Sequence, residues 1–395
     1  MRHASIRFLA AGTAVLAFAA PALALDGNDL VKKINDAMYL QPGAGLAAGS
    51  VRVDGSNVVL TDSRFELGSG QGALALGTIE MQGVAEQNGG YRIETVTLEN
   101  VNSTQDKSTV TISDMSMNGV TVPANPNGDT LDSILLYDSA HVGPTAFSFD
   151  GKPALTLASV DVTTEAPDDN SSIQFEVKAE GVKGDLRLLT EPRAHQSLAD
   201  LGVTELDGRI NMSGSWDMKP GTLALSEYTL DFANIGRLNI ALSFSGYTLD
   251  FIRSANETAR AMEANPNKQE AQQAASLAML GLLQRLTFNS AQIRFDDAGI
   301  TKRALDYAGK ERNTSGEQIA QILKAMTPLY LAQYNMPELQ NMVSAALNTY
   351  LDNPQNLTVT AQPPKSVPFP MIMGAAMGAP NTLPGLLGVT VTAND

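Results

Sequence analysis

From about residue 49 to residue 247 apolar and polar side chains alternate with a period of two, broken at short intervals by Gly, Asn, Asp and Pro. Successive side chains of a strand point to opposite faces, so this pattern predicts half-buried strands. Val51 and Val53, Val58 and Leu60, Leu74 and Leu76, Ile79 and Met81, and Ile93, Val96 and Leu98 begin the series. It continues through Val110 and Ile112, Met115 and Met117, Phe147 and Phe149, Leu155 and Leu157, Val160 and Val162, and Ile173, Phe175 and Val177. Ile210 and Met212, Leu223 and Leu225, Leu230 and Phe232, and Leu238 to Phe244 complete it. Many short strands with few helical windows between them predict antiparallel meanders rather than βαβ units. The spacing is too irregular for a repeat of fixed period.

After Tyr247 the period becomes helical. Leu249, Ile252, Ala259 and Met262 mark one helix, stopped by Asn265-Pro266, and Ala274, Leu277, Ala278 and Leu282 mark a second. A strand over 286–295 then leads to Asp297, a predicted N-cap for a helix carrying Ile300, Ala304, Leu305 and Ala308. Ser315 with Gln318 forms a capping-box pattern, and Pro337 occupies a first-turn position ahead of the amphipathic run Leu339, Met342, Val343, Ala346, Leu347, Tyr350 and Leu351. The tail returns to strand at Leu357, Val359 and Ala361, turns Pro- and Met-rich over 369–387, and offers a final edge strand over 389–392. Its prolines exclude a regular transmembrane helix. The expected fold is therefore α+β: one or more extended, curved antiparallel sheets with a helical segment in the C-terminal third. The expected divisions are 1–24, a β-rich region 25–247, a mainly helical region 248–356, and a strand plus apolar tail 357–395.

The first 24 residues carry a basic start (Arg2, His3, Arg7), an apolar run from Phe8 to Ala20, and Ala22-Leu23-Ala24, the pattern of a cleaved secretory signal. The apolar run is shorter than the roughly 20 residues that cross a bilayer. The chain has no cysteine, which excludes disulfides, thiolate metal sites and a lipidated cysteine anchor, and favours a bacterial periplasm. The net charge of −15 becomes about −17 when Arg2 and Arg7 are removed with the signal, which disfavours nucleic acid and anionic surfaces as partners.

Residues suited to catalysis are scarce. Outside the signal the histidines are His141, at a strand end, and His195, in a polar connection after Pro192; both read as ordinary surface or turn residues. Asp168-Asp169 and Asp296-Asp297 are adjacent only in sequence, and neighbouring strand residues face opposite ways, so neither reads as an acid/base pair. Gly68-Ser-Gly70-Gln-Gly72 lacks the βαβ context of a dinucleotide loop. Asn125-Pro-Asn127-Gly-Asp129, with Asp132, lacks the spacing of a calcium loop and reads as a turn. No cofactor is expected. An outer-membrane barrel is disfavoured by mostly short runs, aromatics at 6%, and the helical block that interrupts them.

The segment Leu286-Thr-Phe-Asn-Ser-Ala-Gln-Ile-Arg-Phe-Asp-Asp-Ala-Gly-Ile300, a strand ending in Asp-x-Gly and entering short helices, resembles the C-terminal part of YdgA-like bacterial envelope proteins. The strands before it are similar in style to the wider AsmA-like group. The resemblance spans residues 220–365 and brings no catalytic motif. It implies a long curved sheet, apolar on one face and polar on the other, in proteins linked to envelope lipid handling. A membrane tether would also follow from it, but this chain carries the cleaved-signal pattern instead.

The expectation for function is a periplasmic envelope protein that is not an enzyme and binds or scaffolds, holding a lipid or other apolar ligand on its sheet. The alternatives are a protein–protein interaction module without ligand and an exported hydrolase. An apolar strand face needs a cover, and the 339–351 helix and the Met-rich tail are the natural ones. Met342, Leu347, Met371, Ile372, Met373 and Met377 are the candidate contacts to an apolar ligand or to another envelope protein, methionine suiting an adaptable apolar surface. The competing reading of these side chains is plain core.

Overall fold

The computed structural model describes residues 25–38, 44–67, 72–128, 130–166, 171–189, 191–265 and 267–395. The signal-like segment 1–24, residues 68–71 of the glycine run, Asp129, the Asp168-Asp169 pair and Pro266 lie outside the described residues.

Helix α1 (Gly27–Ala37) precedes β1 (Ala44–Ala47), β2 (Ser50–Asp54), β3 (Asn57–Leu67), β4 (Ala73–Gln82), β5 (Ala85–Gln87), β6 (Gly90–Leu98) and β7 (Val101–Gln105). Then come β8 (Ser108–Ile112), β9 (Met115–Val122), β10 (Ser139–Val142), β11 (Thr145–Phe149), β12 (Lys152–Leu157), β13 (Ser159–Glu165) and β14 (Ser172–Asp185). Helices α2 (Leu186–Leu189) and α3 (Pro192–Asp200) lead to β15 (Glu205–Asp217), β16 (Thr222–Phe232) and β17 (Gly236–Ser245). Helices α4 (Leu249–Ala264) and α5 (Lys268–Leu283) precede β18 (Thr287–Asp297), and α6 (Ile300–Glu311), α7 (Gly316–Ala332) and α8 (Pro337–Asp352) follow it. The chain finishes with β19 (Asn356–Ala361), β20 (Val367–Pro368), α9 (Phe369–Gly378), α10 (Leu383–Leu387) and β21 (Val389–Ala393).

All these strands belong to one antiparallel sheet that does not close on itself. Pairing follows chain order almost without exception. β1 and β2 both pair with β3, which pairs with β4; β4 pairs with β6, β6 with β9, β9 with β10 and β10 with β13. From β13 the order runs β14, β15, β16, β17, β18, β19 and β21. Beside this path β7, β8, β11 and β12 form a four-stranded flap that rejoins at β14.

A line of backbone irregularities separates flap from path. It passes from Asp62 (φ 49°) and Gly77 (φ 65°) through Asp114 (φ 53°) to Gly181 (φ 61°), with interruptions between strands at Asn100, Gly143 and Ala158. Asp114 N donates to Asn100 Oδ1 at 3.0 Å, Gly143 N to Ser113 O at 2.9 Å and Ala158 N to Glu180 O at 2.9 Å, so each interruption hands its hydrogen bonds to the next strand. Bulges bend a strand and increase its twist, and here the bulges at Asp62 and Gly181 line up with the interruptions between strands across seven neighbouring positions.

The largest buried cluster sits at one end. Leu30 and Ile34 of α1 pack on Val58, Leu60, Ile79, Met81, Ile93 and Val122. The sequence reading assigned no helix there; Asp26 caps α1 by accepting from Asn28 N and Asp29 N, and Leu30, Ile34 and Ala37 fall on one face. The helix is pinned by Asp29, whose Oδ2 accepts from Tyr91 OH and from Lys33 Nζ, both at 2.7 Å. These bonds, Lys33's first, hold the Asp29 carboxyl below its ordinary value, while burial and then the Asp29 bond push the Tyr91 phenol up.

A depressed carboxyl stabilises the fold above the unfolded value of 3.8 and loses that contribution as pH falls through the folded value. A raised phenol stabilises below 10.0 and loses its contribution as pH rises beyond it. Asp29→Asn is therefore expected to lower stability at neutral pH by under about 1 kcal/mol, the pair being partly exposed, and to flatten the acid limb. Urea midpoints between pH 3 and pH 7 measure both effects.

Helix positions after residue 247 follow the sequence reading closely. Ser315 caps α7 by accepting from Gln318 N at 3.2 Å, and Pro337 opens α8. Asp297 is not the N-cap but stands two residues ahead of it: Gly299 (φ 102°) is the N-cap, and Asp297 Oδ2 and Oδ1 accept from Gly299 N and Thr301 N at 2.7 and 2.9 Å. Three further corrections stand beside these agreements. The stretch after Pro192 is a helix, α3, held by Ser197 Oγ to Tyr307 OH at 3.0 Å and by Lys310 to Asp200 at 2.7 Å. The β-rich region also begins with a helix. The Pro-rich tail is helical in part, because Pro370 falls in the first turn of α9, where a missing N–H costs nothing.

Candidate functional site

Registers across the sheet align its alternating residues into rows. One row runs through Val53, Val58, Met81, Val96, Met117, Ala140, Val162, Val177, Met212, Tyr228, Ile240, Ile293, Val359 and Val391, each opposite the next. It crosses fourteen strands without a charged or small polar side chain, a span of roughly 60 Å at the spacing of neighbouring strands. A parallel row on the same face runs through Val160, Ala179, Ile210, Leu230, Leu238, Phe295 and Leu357.

The row between them faces the other way and is polar: Ser116, His141, Asp161, Lys178, Asn211, Thr229, Asn239, Arg294, Thr358 and Thr392. Bulges at Ser213/Gly214 and Leu225/Tyr228 reset the register so that Leu225 remains on the apolar side opposite Leu242, which pairs with Ala291 in register with Ile240 and Ile293.

Cover on the apolar face is uneven. Under α1 the row is dry, with Val58 at 0%, Met81 at 3% and Val96 at 7% exposure. From Met117 onward its members are partly exposed, and Ile293 and Val359 reach 49% and 39%. The face is thus an apolar surface sealed at one end and open along most of its length.

The six candidate contacts divide. Met371 lines a cleft of about 750 Å³ between the α7–α8 turn and α9–α10, with Met336, Pro337, Leu339, Ala375 and Leu386. Met342 and Leu347 of α8 and Ile372 and Met373 of α9 are partly buried and do not line it. Met377 is 89% exposed. Helix α8 runs beside β21 and touches β19, with Tyr350 buried and its hydroxyl 2.6 Å from Thr301 Oγ1. The stronger sites are the strand residues of the open face, which the sequence showed as alternation without showing which residues meet.

A family model whose description is "Uncharacterized protein" matches residues 229–394. That is less than half of the chain; it starts inside β16, takes in β17–β21 and α4–α10, and leaves out the end covered by α1. No curated protein matches the chain at a significant level.

On the polar face His141 Nδ1 lies 2.6 Å from Asp161 Oδ1, and Ser159 Oγ donates to Asp161 Oδ2 at 3.0 Å. The bond to His141, the larger of these effects, keeps the Asp161 carboxyl below its usual range. Ser116 stands across from His141 on β9. His195 lies on α3, away from this pair in the strand order. Asp296 accepts from Arg294 Nε at 2.9 Å while Asp297 accepts from Gly299 N and Thr301 N at the start of α6, so those carboxylates serve separate structural ends. Asn125 Oδ1 closes its own turn on Asn127 N at 3.0 Å. Among the described residues no group of three or more His, Asp or Glu is placed to hold a metal ion.

Proposed function

We propose that the protein is a periplasmic envelope protein that holds a lipid or other apolar ligand along the open apolar face of its sheet, as a binding or scaffold component without catalysis. The observation that carries this reading is the fourteen-strand apolar row, partly exposed from Met117 to Val391 and most exposed at Ile293 and Val359. Exposed apolar surface of this extent marks a binding surface. A ligand covering roughly 200 Å² of it, with an equal area of its own, gains on the order of 10 kcal/mol at ~25 cal/mol/Å² before the cost of association is subtracted. The acidic surface disfavours polyanions, and a neutral acyl chain fits both the face and the charge. The signal pattern of residues 1–24 and the absence of cysteine support the compartment.

Titration with a fluorescent fatty acid tests the reading. Saturable binding, displaced by unlabelled fatty acid, is expected; a flat titration at micromolar protein counts against it.

A further inference from the structure

Four helical elements converge on one end of the sheet. β17 finishes at Ser245 and β18 starts at Thr287, so α4–α5 leave and return at this end. Phe369 N donates to Leu286 O at 3.0 Å, which starts α9 at the same place. The far end of α8 is fixed at the opposite edge, where Asn394 Nδ2 donates to Thr349 O and Asn353 O at 3.2 and 2.9 Å. Its first turn therefore reaches back to α9 and α10, across the cleft lined by Leu339 and Met371.

This end carries exposed apolar side chains on stretches without charge, and the charges at its base, Asp250 and Arg285, pair with each other at 2.6 Å. Leu277 of α5 is 71% exposed, Leu329 and Tyr330 of α7 are 68% and 62%, and Met371 and Met377 of α9 are 55% and 89%. Residues 271–284, 325–337 and 366–394 contain no Asp, Glu, Lys or Arg, in a chain that is 17% charged. The nearest charge on α7, Lys324, is paired with Asp352.

We propose that this end docks onto the surface of a lipid bilayer with neutral headgroups. The exposed side chains project from three separate helices, and the stretches that carry them, 271–284, 325–332 and 369–378, hold no charged residue. That arrangement suits a fluid apolar medium better than a protein partner, whose interface is ringed by polar and charged contacts. Tyr330 and Tyr334, hydroxyls 3.2 Å apart, have the amphipathic rings that settle at the headgroup level. No helix of the described residues is long and apolar enough to cross a membrane, so insertion is limited to interfacial depth. An aromatic cluster links this end to the sheet: Phe251, Leu282 and Leu286 pack with Phe244, Tyr247 and Phe369. Docking goes beyond ligand binding, and the two can fail separately.

Flotation of the purified protein with phosphatidylcholine–phosphatidylethanolamine vesicles tests the proposal. The protein is expected to float, to do so equally in low and high salt because no charge contributes, and to lose roughly tenfold in bound fraction in Leu329→Glu/Met377→Glu. Leu277→Glu/Met371→Glu, at a second pair of exposed sites, is expected to lose as much with unchanged thermal unfolding, which separates docking from misfolding. Absence of flotation, flotation that both double variants retain, or a solution dimer that they split would overturn it, the last by assigning this end to a second copy. Flotation without fatty-acid binding would sink the ligand reading alone, and fatty-acid binding without flotation would sink this one alone.

Discussion

Leu60→Ala is expected to destabilise the protein by about 3–5 kcal/mol, measured as a fall in the urea midpoint at unchanged slope. Leu60 is fully buried on β3, with Leu30 and Ile34 of α1 on one side and Ile79 and Ile93 on its own face. Truncation removes the transfer energy of the side chain and leaves a cavity that a strand held between two neighbours cannot close. The other buried cluster, around Phe251, Leu282 and Leu286, is small, so the α1 end carries a large share of the core. Leu277→Ala, at a site 71% exposed, is expected to change stability by under about 0.5 kcal/mol. Equal effects at the two positions would mean that α1 does not seat on the sheet.

Ile293→Glu is expected to weaken fatty-acid binding by tenfold or more while changing stability by under about 1 kcal/mol. Ile293 is 49% exposed, opposite Ile240 and Val359 near the Val391 end of the open row. A carboxylate there must be desolvated by any acyl chain laid across it, a cost of more than 1.4 kcal/mol and hence more than tenfold. The neighbouring Gln292 points to the opposite face, across from Thr360. Gln292→Glu adds the same charge one residue away and is expected to leave binding unchanged. Loss of binding in both variants, or in neither, would remove the ligand from the apolar face.

Much of the sheet was legible because alternation is a local signal. Val58 and Leu60, Ile210 and Met212, and Leu238 and Ile240 each announced both a strand and its apolar side. The caps at Ser315 and Pro337 were legible for the same reason, since a cap involves residues within one turn. Helix α1 is marked in the sequence by Asp26, Leu30, Ile34 and Ala37, a single short face ahead of the stronger alternating signal after residue 49. Helix α3 is polar and owes its place to Tyr307 and Lys310, more than 100 residues away.

The site was less legible than the fold. The face could be inferred, but the row Met212–Tyr228–Ile240–Ile293 depends on bulges that shift the register between strands, and a one-residue slip would put Thr229 or Asn239 in its place. The apolar side chains of the tail and α8, methionines for the most part, stand out by composition alone. Among them Met371 lines a cleft, Met377 stands in the open, and Met342 and Leu347 sit partly buried on α8. The pairing of His141 with Asp161 could not be read from a separation of 20 residues.

The most direct test of the account is native mass spectrometry of the gently purified protein, with solvent extraction of the same sample. The account predicts a mass above that of the polypeptide, an extractable acyl-chain species that accounts for the difference, and a reduced share of it in Ile293→Glu. A clean polypeptide mass, with nothing apolar in the extract and no uptake when fatty acid is supplied, would contradict it.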